Sequence, residues 1–271
     1  MKQKVVYIGT SHTIVEKIVQ HPSFDLQQII CESKRVKEIH LETAQQFDLP
    51  LIEFNDKSHF VEIINSIGAD DIIFIIYQLD MIVPRSLTNK FRFFNLHAGN
   101  IATNRGAHPI IRSVLNGDTQ TELTFHEIDA KIDQGMIVST FPVDVTKEDN
   151  PATIKAKMET GIPLLLDALN QYLKEELAGT KADGGKYYKP ISEIDFTIDV
   201  FADSKETIEN KIRSQVQYFG AVVHHDDVKY NVNQLLDWTQ TDRQDESVFL
   251  SEEYIEVHRK TESFKLKIKQ R

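Results

Sequence analysis

The chain has 271 residues, 41% of them apolar, which allows one large domain with a small addition and a real hydrophobic core. Its formal net charge of −10 lacks the basic excess with which nucleic-acid binders grip phosphates, so no nucleic-acid partner is expected. A single cysteine, Cys31, excludes an intrachain disulfide, and no apolar run approaches the roughly eighteen residues of a membrane helix, so no membrane partner is expected either.

The opening MKQKVVYIGT runs straight into a strand and lacks the apolar core and cleavage site of a signal peptide, so a cytoplasmic location is expected. Lys4 to Ile8 is a β-branched run, and Gly9-Thr10-Ser11 turns into a helical pattern from Thr13 to Gln20. Leu26 to Cys31 reads as a second strand. Arg35 to Phe47 reads as a helix, with Val36, Ile39, His40, Thr43 and Phe47 at helical spacing. Leu51-Ile52 is a brief third strand, and Ser58 to Ile67 is a helix with Phe60, Ile63, Ile64 and Ile67 on one face. Ile72 to Tyr77 (IIFIIY) is apolar without alternation, the mark of a strand buried on both faces of a parallel sheet. Pro84 suits the first position of a short helix, and Phe91 to Asn95 makes the fifth strand. This rhythm specifies an α/β fold built on a doubly wound, mostly parallel, Rossmann-like sheet. Ligands of such sheets bind beyond the carboxyl ends of the strands, where Asn95, His97 and the 78–83 loop fall. The Gly9-Thr10-Ser11 turn is not GxGxxG. It reads either as a plain strand-to-helix turn or as a phosphate or substrate contact made by Ser11 and His12.

Farther along, Leu123 to Ile128 is strand-like and Met136 to Val145 is extended. Ala152 to Leu177 reads as one long helix, kinked near Gly161 and Pro163. Ala178 to Gly185 is a Gly- and charge-rich linker that leads into Lys186-Tyr187-Tyr188-Lys189-Pro190. A helix from Lys205 to Gln215 precedes a β-rich tail, with strands expected at 221–224, 229–232, 247–250, 254–257 and 264–268. Neighbouring positions in His224-His225-Asp226-Asp227 point to opposite faces of a strand, and no metal-ligand spacing is found elsewhere, so no metal is expected.

Asn95 and His97 stand two apart at the end of an apolar strand, so their side chains point the same way. Asp133 follows the next strand-like run. An amide that polarises a carbonyl, an imidazole that moves a proton and an acid that holds the imidazole are the parts of acyl transfer. His126 lacks such company and reads as a core or hydrogen-bonded histidine.

This stretch resembles the folate-dependent formyltransferase family, which includes glycinamide ribonucleotide, methionyl-tRNA and nucleotide-linked aminosugar N-formyltransferases. Asn95 and His97 match its Asn-x-His, Arg105-Gly106 its Arg-Gly pair, Asn116-Gly117 its Asn-Gly, and Asp133-Gln134-Gly135 its Asp-x-Gly. Ala98 to Ala102 (AGNIA) departs from the Ser-Leu-Leu-Pro that many members carry after the histidine. The resemblance implies Asn95, His97 and Asp133 as catalytic residues and 10-formyltetrahydrofolate as formyl donor. It places the folate against Leu79, Asp80, Met81 and Ile82 on one side and Ile128, Asp129, Ala130 and Lys131 on the other.

The resemblance also implies a formyltransferase catalytic domain at 1–180, a linking segment at 181–205 and a small C-terminal β-rich domain at 206–271. The aromatic-basic stretch, the Ile194-Asp195-Phe196 turn and the Ile212-Arg213 pair are similar to the aminosugar and methionyl-tRNA branches. Tyr187, Tyr188 and Lys189 either stack a nucleobase and meet a diphosphate or form a surface strand. Arg105 meets a substrate phosphate or pairs with an acid, and His108 and Tyr218 are further substrate-side residues. The expected acceptor is the amine of a nucleotide-linked amino-deoxysugar, such as a dTDP-amino-dideoxyhexose of lipopolysaccharide O-antigen biosynthesis. A homodimer is compatible with this reading. The alternatives are methionyl-tRNA formylation and a non-enzymatic folate or nucleotide binder on the same fold.

Overall fold

The structure is a computed structural model that describes residues 1–67, 71–129, 132–182 and 185–270. In chain order, the first half contains β1 (Gln3–Gly9), α1 (His12–Gln20), β2 (Phe24–Glu32), α2 (Glu38–Gln46), β3 (Leu51–Phe54), α3 (Lys57–Ile67), β4 (Ile72–Tyr77), α4 (Arg85–Thr88), β5 (Arg92–His97), β6 (Arg105–Gly106), α5 (Pro109–Asn116) and β7 (Gln120–Glu127). The second half contains β8 (Met136–Asp144), α6 (Pro151–Glu159), α7 (Ile162–Leu173), β9 (Thr180–Lys181), β10 (Tyr187–Tyr188), α8 (Lys205–Gln215), β11 (Ala221–His225), β12 (Val228–Gln240), β13 (Ser247–Leu250), β14 (Tyr254–His258) and β15 (Glu262–Ile268). Two compact units result. The first comprises Met1–Gly106, Glu122–Val143 and Ala156–Tyr188, and the second Ala107–Thr121, Asp144–Lys155 and Lys189–Arg271.

The first unit is the expected α/β layer structure. Its eight strands run in the order β3-β2-β1-β4-β5-β7-β8-β9. The first five pair in parallel and β7 joins β5 antiparallel. Alternate residues of β1 face opposite sides of the sheet. Val6 and Ile8 pack with Phe60, Ile63 and Ile64 of α3 and with Leu87 of α4, while Val5 and Tyr7 on the other side are equally buried. Burial on both faces explains why β4 reads IIFIIY without alternation. Ser11 donates to Glu159 at 2.8 Å and His21 lies 3.0 Å from Asp167, which ties α1 to α6 and α7.

In the second unit a five-stranded antiparallel sheet, ordered β11-β12-β15-β14-β13, is packed on α8. Ile208 and Ile212 of α8 meet Val223, Val232, Ile255, Val257, Phe264 and Leu266 in one core.

Three elements differ from the sequence expectation. The helix expected over 35–47 begins only at Glu38, because Ser33–Arg35 forms a 3-10 turn and the Lys37 N–H donates to His40 Nδ1 at 2.9 Å. The long helix over 152–177 is two helices. A Cβ on Gly161 would stand 2.2 Å from the Phe141 ring, and Pro163 falls in the first turn of α7, where its missing N–H costs nothing. The strand expected at 229–232 runs on to Gln240, and its alternation is interrupted by register shifts at Val232/Gln234 and Leu235/Asp237.

Phe74 is fully buried and stacked on Phe93 with ring centroids 4.6 Å apart. Phe74→Ala is expected to cost about 3–5 kcal/mol, measured as a lower urea midpoint with an unchanged slope.

Candidate active site

The site is assembled at the junction of β5 and β7 in the first unit. Pairing between them sets Asn95 directly opposite His126. The Asn95 amide nitrogen lies 3.2 Å from His126 Nε2, and His126 Nδ1 lies 2.8 Å from the Glu127 carbonyl oxygen. His126 is 1% exposed. Burial pushes its pKa down to about 4; the neighbouring His97 acts in the same direction, while Asp133 and the Glu127 carbonyl oppose it.

His97 ends β5 and is buried. Its Nε2 donates to the Asn104 carbonyl at 2.8 Å and its Nδ1 faces Asp133 Oδ2 at 3.6 Å, an ion-pair distance. Asp133 adopts a left-handed backbone (φ 50°) and accepts the Gly106 N–H at 2.8 Å through Oδ2, while its Oδ1 lies 3.6 Å from His126 Nε2.

The motif glycines are explained by close backbone approach. Gly106 has φ 98°, and a Cβ there would stand 2.3 Å from the Tyr188 carbonyl oxygen. A Cβ on Gly135 would stand 1.8 Å from the Glu127 carbonyl oxygen. The Arg-Gly pair therefore frees an N–H for Asp133, and the Asp-x-Gly turn seats the acid against the end of β7.

The aromatic-basic stretch comes to the same place. β10 pairs with β6, setting Tyr187 beside Arg105 and Tyr188 beside Gly106. The Arg105 guanidinium lies 6.0 Å from the Tyr187 ring centroid, and Lys186 Nζ lies 4.6 Å from that of Tyr188. Tyr187 is 46% exposed, leaving ring surface free for a ligand.

The other expected residues divide. Leu79, Met81 and Ile128 pack against the first unit's core, Ile82 and Asp129 are exposed, and Asp80 lies 3.2 Å from Arg35. Ala130 and Lys131 lie outside the described residues. The Ser11 hydroxyl accepts the Ile14 N–H as the N-cap of α1 and donates to Glu159; the residue is buried, whereas His12 is exposed. His108, Lys189 and Tyr218 belong to the second unit. There His108 accepts the Ile191 N–H at 3.1 Å, and Lys189 and Tyr218 are exposed.

His126 was not legible as a site residue, because only its pairing with Asn95 across two strands distant in sequence reveals it. Among the described residues no group of three or more His, Cys, Asp or Glu side chains is placed to hold a metal, and no helix is long and apolar enough to cross a membrane.

Fold and cluster together define a doubly wound α/β protein with an amide, two imidazoles and an acid gathered at the carboxyl end of a central strand. A formyl transferase family model matches residues 4–165, more than half of the chain, and the chain belongs to that family. It is 28% identical over 189 residues to a methionyl-tRNA formyltransferase of Streptococcus gordonii, a match covering 64% of this chain and 60% of that relative, so it spans less than two thirds of the relative's length. An N-formyltransferase of Helicobacter canadensis, solved in complex with folinic acid and dTDP-3-aminofucose, superposes with a TM-score of 0.72 at 16% identity, covering 100% of both chains. A 4-N formyltransferase from Francisella tularensis superposes with a TM-score of 0.69 at 18% identity, covering 84% of this chain and 95% of the other.

The depressed pKa of His126 has a consequence for stability. The unfolded chain takes up a proton near the ordinary value of 6.5, while the folded chain does so only near 4. The unfolded state therefore binds more protons across that window, and stability falls as pH falls through it, by up to about 1.4 kcal/mol per pH unit. His126→Gln is expected to flatten this part of the stability profile, read by urea denaturation at stepped pH.

Proposed function

We propose that the protein is an N-formyltransferase that moves the formyl group of 10-formyltetrahydrofolate to the amine of a nucleotide-linked amino-deoxysugar. The observation that carries this reading is the convergence of Asn95, His97 and Asp133 at the end of β5, with Arg105 next in chain to the residue whose amide binds the acid and Tyr187 paired with Arg105.

In the reaction, the neutral amine attacks the formyl carbon and the oxygen becomes an oxyanion. Asn95 donates a hydrogen bond to that oxygen, and His97 helps stabilise it. Asp133 takes the proton that the amine sheds and, with His97, returns one to the folate nitrogen as the carbon–nitrogen bond of the donor breaks. The products are the formamide and tetrahydrofolate. The folate lies against the 78–83 loop, where Leu79 and Met81 offer an apolar wall and exposed Ile82 extends it.

Two observations favour a sugar acceptor: the net charge of −10 and the full-length likeness to a protein solved with dTDP-3-aminofucose. The second reading, methionyl-tRNA formylation, is favoured by the sequence relatives. It requires salt-sensitive binding of initiator tRNA in a gel shift, which the sugar reading does not.

Incubation with 10-formyltetrahydrofolate and a panel of dTDP-, UDP- and GDP-linked aminosugars is expected to release tetrahydrofolate with at least one member. Absence of turnover with every member would overturn the sugar reading and leave methionyl-tRNA formylation or a binding protein on this fold. Asn95→Ala, His97→Ala and Asp133→Ala should each lower kcat about 10²–10³-fold while keeping the fold intact by circular dichroism. Tyr187→Ala should raise KM for the sugar nucleotide roughly 2–10-fold, the worth of one aromatic stack, and leave KM for the folate unchanged.

A further inference from the structure

We infer that His126, in its Nδ1-protonated neutral form, is the positioning residue that turns the Asn95 amide toward the reacting carbonyl, an assignment that rests on the formyl-transfer reading above. The Glu127 carbonyl can only accept, and it stands 2.8 Å from His126 Nδ1, so the ring's proton sits on Nδ1. Nε2 of the neutral ring is then an acceptor. The Asn95 group 3.2 Å away must present its NH₂ and not its oxygen. One N–H of that NH₂ is held by His126 and the second is left for the oxyanion.

The competing tautomer carries the proton on Nε2. It would gain a partner in Asp133 Oδ1, but at 3.6 Å that atom is beyond hydrogen-bond reach, and the tautomer would set a lone pair against the Glu127 carbonyl at 2.8 Å. A proton on Nε2 would also draw the Asn95 oxygen toward the ring. The amide would turn over and face the developing oxyanion with its own oxygen.

The carbonyl that selects the tautomer is itself held. Ile128 N–H donates to the Phe93 carbonyl at 2.8 Å, which closes the β5–β7 ladder beyond Glu127. The Glu127 carboxylate takes Arg92 Nε at 3.0 Å, Arg92 Nη2 at 2.5 Å and the Tyr172 hydroxyl at 3.0 Å. With His126 1% exposed, water has little access to substitute for either partner of the ring.

The test has two arms on the full chain. In the first, histidine-labelled protein is examined by ¹⁵N NMR at neutral pH. His126 is expected as a neutral ring with Nδ1 protonated, and an Nε2-protonated ring or an imidazolium overturns the inference. In the second, tetrahydrofolate release is followed with 10-formyltetrahydrofolate and dTDP-3-aminofucose. His126→Leu should lower kcat about 10²–10³-fold at unchanged KM. His126→Gln, which restores an acceptor near Nε2, should recover kcat to within roughly tenfold of the parent, because orientation and not titration is required. Asn95→Ala combined with His126→Leu should be no slower than Asn95→Ala alone, since both remove the same hydrogen bond. Losses that multiply would show a separate role for His126 and end the inference. Full turnover by Asn95→Ala would remove the oxyanion role of Asn95 and the inference with it, whereas no tetrahydrofolate release by the parent chain would sink the formyl-transfer reading itself. An inactive Asn95→Ala beside an active His126→Leu would sink only the positioning role.

Discussion

The site depends on a single antiparallel pairing. Five strands of the first unit run parallel, and the sixth in spatial order, β7, reverses. That reversal puts Asn95 and His126 face to face, and Asp133 stands 3.6 Å from His97 beside them. A one-residue slip in this register would turn His126 away from Asn95 and bring Phe125 or Glu127 across from it. Buried aromatic residues oppose such a slip, because it would part the Phe94 and Phe125 rings, which meet edge-on with centroids 6.0 Å apart.

Two imidazoles share the cluster, and their surroundings give them different work. His126 is enclosed, and burial keeps it neutral, so it serves as a fixed donor at one nitrogen and a fixed acceptor at the other. His97 is also buried, but its Nε2 is given to the Asn104 carbonyl and its Nδ1 is turned to Asp133. On the proposed reading, environment and not residue type separates orientation from proton transfer.

Much of this was legible in the sequence and some was not, for physical reasons. The apolar run IIFIIY announces a strand covered on both faces, and Asn95, His97 and Asp133 lie in stretches whose local pattern fixes strand ends. His126 was hidden because its meaning lies in its neighbour across the ladder, and a periodicity argument sees only one strand at a time. The β6–β10 pairing was hidden because two-residue strands carry no periodicity at all. α5 went unread although Pro109 in its first turn and left-handed Gly117 at its end are ordinary helix signals; eight residues between polar turns resemble a loop. Gly161 and Pro163 mark a kink between α6 and α7 in the sequence, but the full break goes with the Phe141 ring occupying the space beside Gly161, a tertiary contact that local pattern does not show.

The short ladder between Arg105-Gly106 and Tyr187-Tyr188 couples two parts of the molecule that evolution would otherwise tune apart. Gly106 is at once the rung that carries the tyrosine strap and the amide that steadies the acid. Lengthening or shortening the strap would tug on the very peptide that keeps Asp133 in place. Exposed side chains such as Tyr187 can be exchanged without disturbing that peptide, whereas a change of backbone path here cannot.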